Sequence, residues 1–180
     1  MTTPDFVLDL RRHVGHAPLW MPGCTAVVTR TRPGGQRDEP VSGTGEHVEI
    51  LCVRRADDGR WTPVTGIVDP GEEPAAACER EVREEAGVRA RARRLVGVEV
   101  VGPVTYDNGD VSTYLDTAFW LEWISGEPYP ADGENTEARF FPVDGLPAMN
   151  ERFTRTIARA LSGKAEAQFV ESPPALRPSS

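Results

Sequence analysis

The spacing of apolar positions changes period several times along the chain, and each change predicts an element. Val7, Leu10 and Val14 recur at helical spacing from about Pro4 to Val14, with Thr3 as N-cap, Pro4 at the first helical position and Gly15 as a stop. Two strand-like runs follow at Cys24–Arg30 and Val48–Arg54. Between them Arg32–Glu46 is rich in Gly, Pro and charge without periodicity, which predicts a mobile loop. Residues 95–106 and 111–124 read as an antiparallel hairpin across Asp107–Asp110, whose Asn108-Gly109 pair suits the positive φ angles of a tight turn. On the second of these strands Leu115, Phe119, Leu121 and Trp123 alternate with Tyr114, Asp116, Trp120 and Glu122, so one face is apolar and the other mixed. A short strand at Ala138–Val143 precedes a last helix capped near Asn150, with Phe153, Ile157 and Leu161 on one side. The Ser- and Pro-rich text after Gly163 predicts a disordered or loosely attached tail, giving one domain over residues 1–163 and a tail over 164–180.

Composition narrows the class. With 180 residues, 39% apolar and 27% charged, the chain suits one globular domain with a sizeable core. No apolar run reaches the roughly 18 to 20 residues of a membrane span. The opening Met-Thr-Thr-Pro-Asp has neither a basic start nor an apolar stretch, so a cytoplasmic location is the expectation. A formal net charge of −8 argues against bulk nucleic acid or an anionic membrane as partner. A small anionic substrate stays open, because bound metal ions invert the local sign of a site. Cys24, Cys52 and Cys78 are odd in number and widely spaced in apolar or helical contexts, which predicts buried free thiols.

Candidate chemistry concentrates between Gly66 and Val88. Its first part is a Gly- and Pro-rich loop, and Pro74 and Gly87 bound a helix over about Pro74–Ala86. Ala75, Cys78, Val82 and Ala86 form a narrow stripe suited to packing on a sheet. Glu81, Glu84 and Glu85 gather roughly 125° away at 100° per residue. Glu72 can fold back toward them, and Arg80 can brace the cluster. Two readings are open at this level, a solvated acidic helix face or a divalent-metal site. The first fits poorly with stability alone. Glu81 and Glu85 repel at i, i+4 by about 0.2–0.5 kcal/mol, and Glu84 and Glu85 oppose the helix dipole by about 0.3–1 kcal/mol each. Converging carboxylates without His or Cys suit a hard cation such as Mg²⁺ or Mn²⁺.

The same segment resembles the Nudix box, Gly-x5-Glu-x7-Arg-Glu-U-x-Glu-Glu-x-Gly-U with U aliphatic. Gly66, Glu72, Arg80, Glu81, Val82, Glu84, Glu85, Gly87 and Val88 match every fixed position. Many members have Pro-Gly-Gly where this chain has Val64-Thr65-Gly66. The resemblance implies an α/β/α sandwich around a mixed β-sheet. It also implies an Mg²⁺- or Mn²⁺-dependent pyrophosphatase acting on a nucleotide derivative such as an ADP-ribose-like compound, a sugar nucleotide or a nucleoside triphosphate. By the same resemblance Glu81 and Glu85 are the leading metal ligands. Glu84 is a further ligand or positions water, and a backbone carbonyl at or beside Gly66 completes the shell. Arg80 and Glu72 orient these carboxylates without touching substrate. A general base is a box glutamate, Glu81 or Glu84, or an acid of a later loop, where Glu137 is preferred over Glu134. A homodimer is a family-level expectation.

Aromatics suited to stacking on a nucleobase are Trp20, Trp61, Tyr106, Tyr114 and Trp120. Tyr114, Asp116 and Trp120 share the mixed strand face and are the preferred substrate contacts. The arginines of Arg89–Arg94 form either a solvated strand entrance or a phosphate attractor, and His13, His16 and His47 read as helix-end or solvated residues. Two rivals use the same fold: a non-catalytic domain binding a nucleotide metabolite, and an isomerase acting on an isoprenoid diphosphate. The first would be expected to lose box glutamates. The second needs a proton-transfer cysteine, and none of the three cysteines lies in such a motif.

Overall fold

The computed structural model describes residues 3–31 and 48–170. The expected loop at 32–46 and the last part of the expected tail, 171–180, lie outside the described residues. In chain order the elements are α1 (Asp5–Val14), β1 (Leu19–Thr31), β2 (Val48–Arg55), β3 (Trp61–Thr62), β4 (Val64–Ile67), α2 (Pro74–Ala86), β5 (Arg89–Thr105), β6 (Val111–Ser125), β7 (Asn135–Pro142), a 3₁₀ turn (Val143–Gly145), α3 (Glu151–Leu161) and β8 (Gln168–Phe169).

One mixed sheet runs in the order β3-β2-β1-β6-β5-β8, with β4 paired to β1 and β7 to β2. β1 and β6 are parallel over Leu19–Thr29, which buries both inside the sheet. The other edge of β1 is shared: Gly23–Ala26 pairs with β4, and Thr29–Thr31 pairs with β2. This divided pairing brings β4, the start of the chemistry-bearing segment, against the middle of the core.

Each face of the sheet is covered. On one, Cys24, Val28, Leu51, Val53 and Leu121 pack with Ala77, Cys78, Val82 and Ala86 of α2. On the other, Val27, Ile50, Cys52 and Ala118 pack with Ile157 and Ala160 of α3. A smaller cluster joins Val7 of α1 to Met21 and Ile67. The result is the expected α/β/α arrangement. All three cysteines are buried and free. Among the described residues no helix is long and apolar enough to cross a membrane.

Several local expectations change. Pro4, not Thr3, sits at the N-cap of α1, because its extended backbone lets its carbonyl accept from Val7 and Leu8 N–H at 2.9 and 3.1 Å. Of the α1 stripe only Val7 is buried, since the helix meets the sheet over one turn. β1 begins at Leu19, five residues before Cys24. Pairing with β6 carries the strand through Pro22 and Gly23. At the hairpin tip Gly109 alone takes positive φ (85°), while the Asn108 side chain accepts from Asp110 N–H at 3.0 Å. Gln168 and Phe169, within the expected tail, form β8 against Gly97 and Val98.

Candidate active site

The packing of α2 sets the rotation of its polar side chains. Glu73 at the N-cap is extended, Pro74 opens the first turn, and Gly87 closes the helix at φ 68° with its N–H bonded to Arg83 O. With Ala77, Cys78, Val82 and Ala86 buried on the sheet, Glu81 and Glu85 are drawn partly under the helix while Glu84 stays exposed. Ala75, expected in the packing stripe, is only half-buried, and Ala77 packs on the sheet in its place.

Arg80 is the hub of the acidic face. Its Nε and Nη2 donate to the two oxygens of Glu72 at 3.0 and 2.9 Å, and Nη1 donates to Glu81 Oε1 at 3.0 Å and Glu84 Oε2 at 3.1 Å. Nη2 also donates to the carbonyl of Ile67 at 3.1 Å, which ties the helix to the end of β4. The ion pair with Arg80 holds the Glu72 carboxyl below its ordinary range and raises Arg80. Glu72 therefore meets Arg80 rather than the other glutamates, and the backbone carbonyl beside Gly66 is held by a guanidinium.

Gly66 is needed for close approach. A Cβ there would lie 2.3 Å from the Glu81 carboxyl group, so any other residue would push Glu81 away. The Val64-Thr65 departure is accommodated as ordinary β4 backbone paired to Thr25 and Ala26. Burial pushes Glu81 up to about 7, partly opposed by Arg80. Burial pushes Glu85 up to about 8, partly opposed by Asn135.

Glu85 is 2% exposed. Its Oε2 accepts from Asn135 Nδ2 at 2.9 Å, and its Oε1 is buried without a hydrogen-bond partner. The loop joining β6 to β7 is fastened to this end of α2: Tyr129 N–H donates to Ala86 O and Ala131 N–H to Glu85 O, both at 3.1 Å. The loop thereby brings the charges of Glu134 and Asp132 close enough to raise Glu85, and that of Glu134 close enough to raise Glu81. Among the described residues no three carboxylate, imidazole or thiol groups are drawn together tightly enough to hold an ion. Glu81 and Glu84 turn oxygens toward Arg80. The hard oxygen donors and the unpartnered buried Oε1 of Glu85 nevertheless fit a divalent cation.

The family model for the NUDIX domain matches residues 40–161. The chain belongs to the Nudix family. An NAD-capped RNA hydrolase NudC from Deinococcus radiodurans is 35% identical over 114 residues, covering 62% of this chain and 38% of that protein. The NudC of Stutzerimonas stutzeri is 29% identical over 148 residues, covering 82% of this chain and 45% of that protein. The chain thus spans less than half the length of these curated relatives. Among solved structures, an ADP-ribose pyrophosphatase from Streptococcus suis superposes with a TM-score of 0.58 at 22% identity, covering 83% of this chain and 98% of that one. A UDP-X diphosphatase gives 0.59 at 17% identity, covering 93% and 74%. At these identities the structural likeness concerns the fold.

Other expected site residues lie apart from the Nudix box. Glu137 pairs across the sheet with Arg54, and adjacent strand residues face opposite sides, so it points away from the α2 face that holds neighbouring Val53 and Ala138. It is engaged there by Arg54 at 3.0 Å and Arg139 at 3.4 Å. Asp116 and Trp120 are covered rather than open. Asp116 is buried under α3, accepts from Thr25 Oγ1 at 2.9 Å and pairs with Arg152 at 3.1 Å, and burial raises it. Trp120 donates to Thr29 Oγ1 at 2.8 Å within the α3 cluster. Tyr114 bonds Tyr106 through their hydroxyls at 2.6 Å, beside the α1 cluster. The mixed strand face is thus the face α1 and α3 cover. The arginine run divides: Arg93 pairs with Glu122 at 2.7 Å and Arg94 binds Ala160 O at 2.7 Å. Arg89 and Arg91 line a recess of about 480 Å³ with Ala76, Glu79, Arg80 and Arg83 of α2. Sequence reading missed Asn135, for which no local signal exists.

Proposed function

We propose that this Nudix chain is a divalent-metal-dependent hydrolase cleaving a phosphoanhydride bond in a nucleoside diphosphate derivative. The observation that carries this reading is the buried Glu85 carboxylate, with one oxygen unpartnered, beside Glu81 on a helix whose whole face is acidic. Glu81 and Glu85 would hold the cation (Mg²⁺ or Mn²⁺), with Glu84 as a further ligand. When bound there, the ion supplies charge neutralisation at the phosphates and lowers the pKa of an attacking water. To hold the cation Glu81 and Glu84 would have to give up their bonds to Arg80, while the contacts of Arg80 to Glu72 and Ile67 O could keep the helix anchored. Glu134 is the better candidate than Glu137 to accept the proton of the attacking water, because its charge lies close enough to raise both Glu81 and Glu85, whereas Glu137 is engaged by Arg54 and Arg139. A purely binding domain would not need to keep every box glutamate on one face.

The test is a panel of phosphoanhydrides with Mg²⁺ or Mn²⁺ and ¹⁸O-labelled water. Glu134→Gln is expected to lower kcat by about 10²–10⁴-fold, the usual worth of a general base, while Glu137→Gln leaves it near that of the parent. The reverse ranking would return the base to Glu137. A parent protein that cleaves nothing in the panel would favour the binding domain.

A second reading concerns what the nucleotide carries. The NudC relatives are named for NAD-capped RNA, and the recess beside α2 holds four arginines against one glutamate in a chain of net charge −8. Arg83 and Arg89 have no carboxylate partner among the described residues. This favours a substrate with further phosphates beyond the cleaved pair, against the expectation of no nucleic-acid partner. Reversing both charges (Arg83→Glu with Arg89→Glu) should raise KM for a capped oligonucleotide roughly tenfold or more at low salt. KM for the free dinucleotide should hold, and equal effects on both substrates would remove this reading.

A further inference from the structure

Glu85 and Asn135 come from elements far apart in sequence and meet only because of an irregularity in β7. Arg54 pairs with Glu137 and Arg55 with Asn135, which leaves Thr136 as an extra residue in the strand. Without that bulge Asn135 would share the face of Glu137, two residues on, and point away from α2. With it, Asn135 turns toward α2 and becomes 4% exposed. Its Nδ2 donates to Glu85 Oε2 at 2.9 Å.

The atoms left over carry the argument. Glu85 Oε1 and Asn135 Oδ1 are both buried acceptors without a partner. A pair serving only the fold would satisfy such oxygens, because buried polar atoms without partners are rare and costly. Here the amide takes one carboxylate oxygen and leaves its twin for something else. The neighbouring backbone is also fixed, by the bond from Ala131 N–H to Glu85 O. The bond from Asn135 thus restrains the carboxylate, and the bond to Glu85 O fixes the backbone that carries it.

We infer that Asn135 is a positioning residue of the metal site. By holding Oε2 it sets the rotation of the Glu85 carboxylate and presents Oε1 to the cation. This rests on the reading of Glu85 as a metal ligand given above. Partners that orient ligands in this way commonly set metal affinity as strongly as they set rate.

The experiment is Mn²⁺ binding to the metal-free full chain, followed by electron paramagnetic resonance, for the parent, Asn135→Leu and Thr105→Ala. Asn135→Leu should weaken Mn²⁺ binding by about 10–100-fold and raise the Mn²⁺ concentration needed for activity, with most of kcat returning at saturation. Thr105→Ala, altering an exposed residue beside the β5–β6 turn, should bind like the parent. Parent-like affinity in Asn135→Leu would overturn the assignment while leaving the metal reading intact. A parent that binds no Mn²⁺ would remove the metal reading and this inference with it. Should Asn135→Leu fail to fold, the parent's own Asn135 side-chain amide signals in a nitrogen–proton spectrum decide. Slow solvent exchange and a shift tracking Mg²⁺ saturation support the role, whereas fast exchange and no shift while Mg²⁺ binds overturn it.

Discussion

Glu85→Gln is expected to cut turnover by more than about 100-fold, beyond the 10–100-fold typical for losing a ligand's orienting partner, without weakening the fold. The amide keeps an oxygen for Asn135 Nδ2 and removes a charge that burial disfavours. The same change has a signature in pH. Glu81 and Glu85 are raised by burial to about 7 and about 8, above the ordinary 4.5. Without a divalent ion the folded state therefore holds protons that the unfolded chain releases. The stability these groups contribute is fully present below about pH 4.5 and is lost as pH rises through about 7 to 8. In chelator, the Tm of the parent should fall between about pH 6 and about pH 8.5, and that of Glu85→Gln should fall less. Mg²⁺ should lift the parent's Tm more at the higher pH, because the cation competes with protons for the same oxygens. A Tm insensitive to Mg²⁺ at high pH, or a fully active Glu85→Gln, would end the assignment.

Arg80→Ala is expected to damage stability most. It removes the guanidinium that bonds Glu72 twice and Glu81, Glu84 and Ile67 O once each. Breaking a buried ion pair costs roughly 3–5 kcal/mol, and the lower end applies because Arg80 and Glu72 keep some contact with water. A loss of about 3 kcal/mol corresponds to a fall in Tm of about 6–12 °C for a chain this size. Activity should fall roughly 10–100-fold as α2 loses its anchor to Glu72 and Ile67 O. Arg80→Lys should recover little, since one ammonium cannot span both oxygens of Glu72 while reaching Ile67 O. Thermal melts in chelator read the structural part, and a shift under about 2 °C would show that the network stabilises nothing.

Much of this was legible in one dimension. The α2 boundaries follow from Pro74 and Gly87, and the acidic face follows from a helical period that needs no tertiary contact. Arg80 as a brace follows too, because its reach to Glu84 is one helical turn. β1 extends ahead of its apolar run because pairing with β6, which no local pattern records, carries the backbone through Pro22 and Gly23. Asp116 and Trp120 looked available for a ligand because strand alternation separates two faces without saying what covers each.

The sequence by itself determined the chemistry: which carboxylates share a helix face, and which glycine stands before them. Those are local matters of period and spacing. Only the tertiary structure decided which distant acids join them. One extra residue at Thr136 turns Asn135 toward Glu85 and leaves Glu137 on the far side of the sheet, and two backbone hydrogen bonds fasten the Glu134 loop to the end of α2. The physical reason is that strand register inverts a side chain with every single-residue slip. No local pattern around residues 134–137 records which register the partner strand imposes.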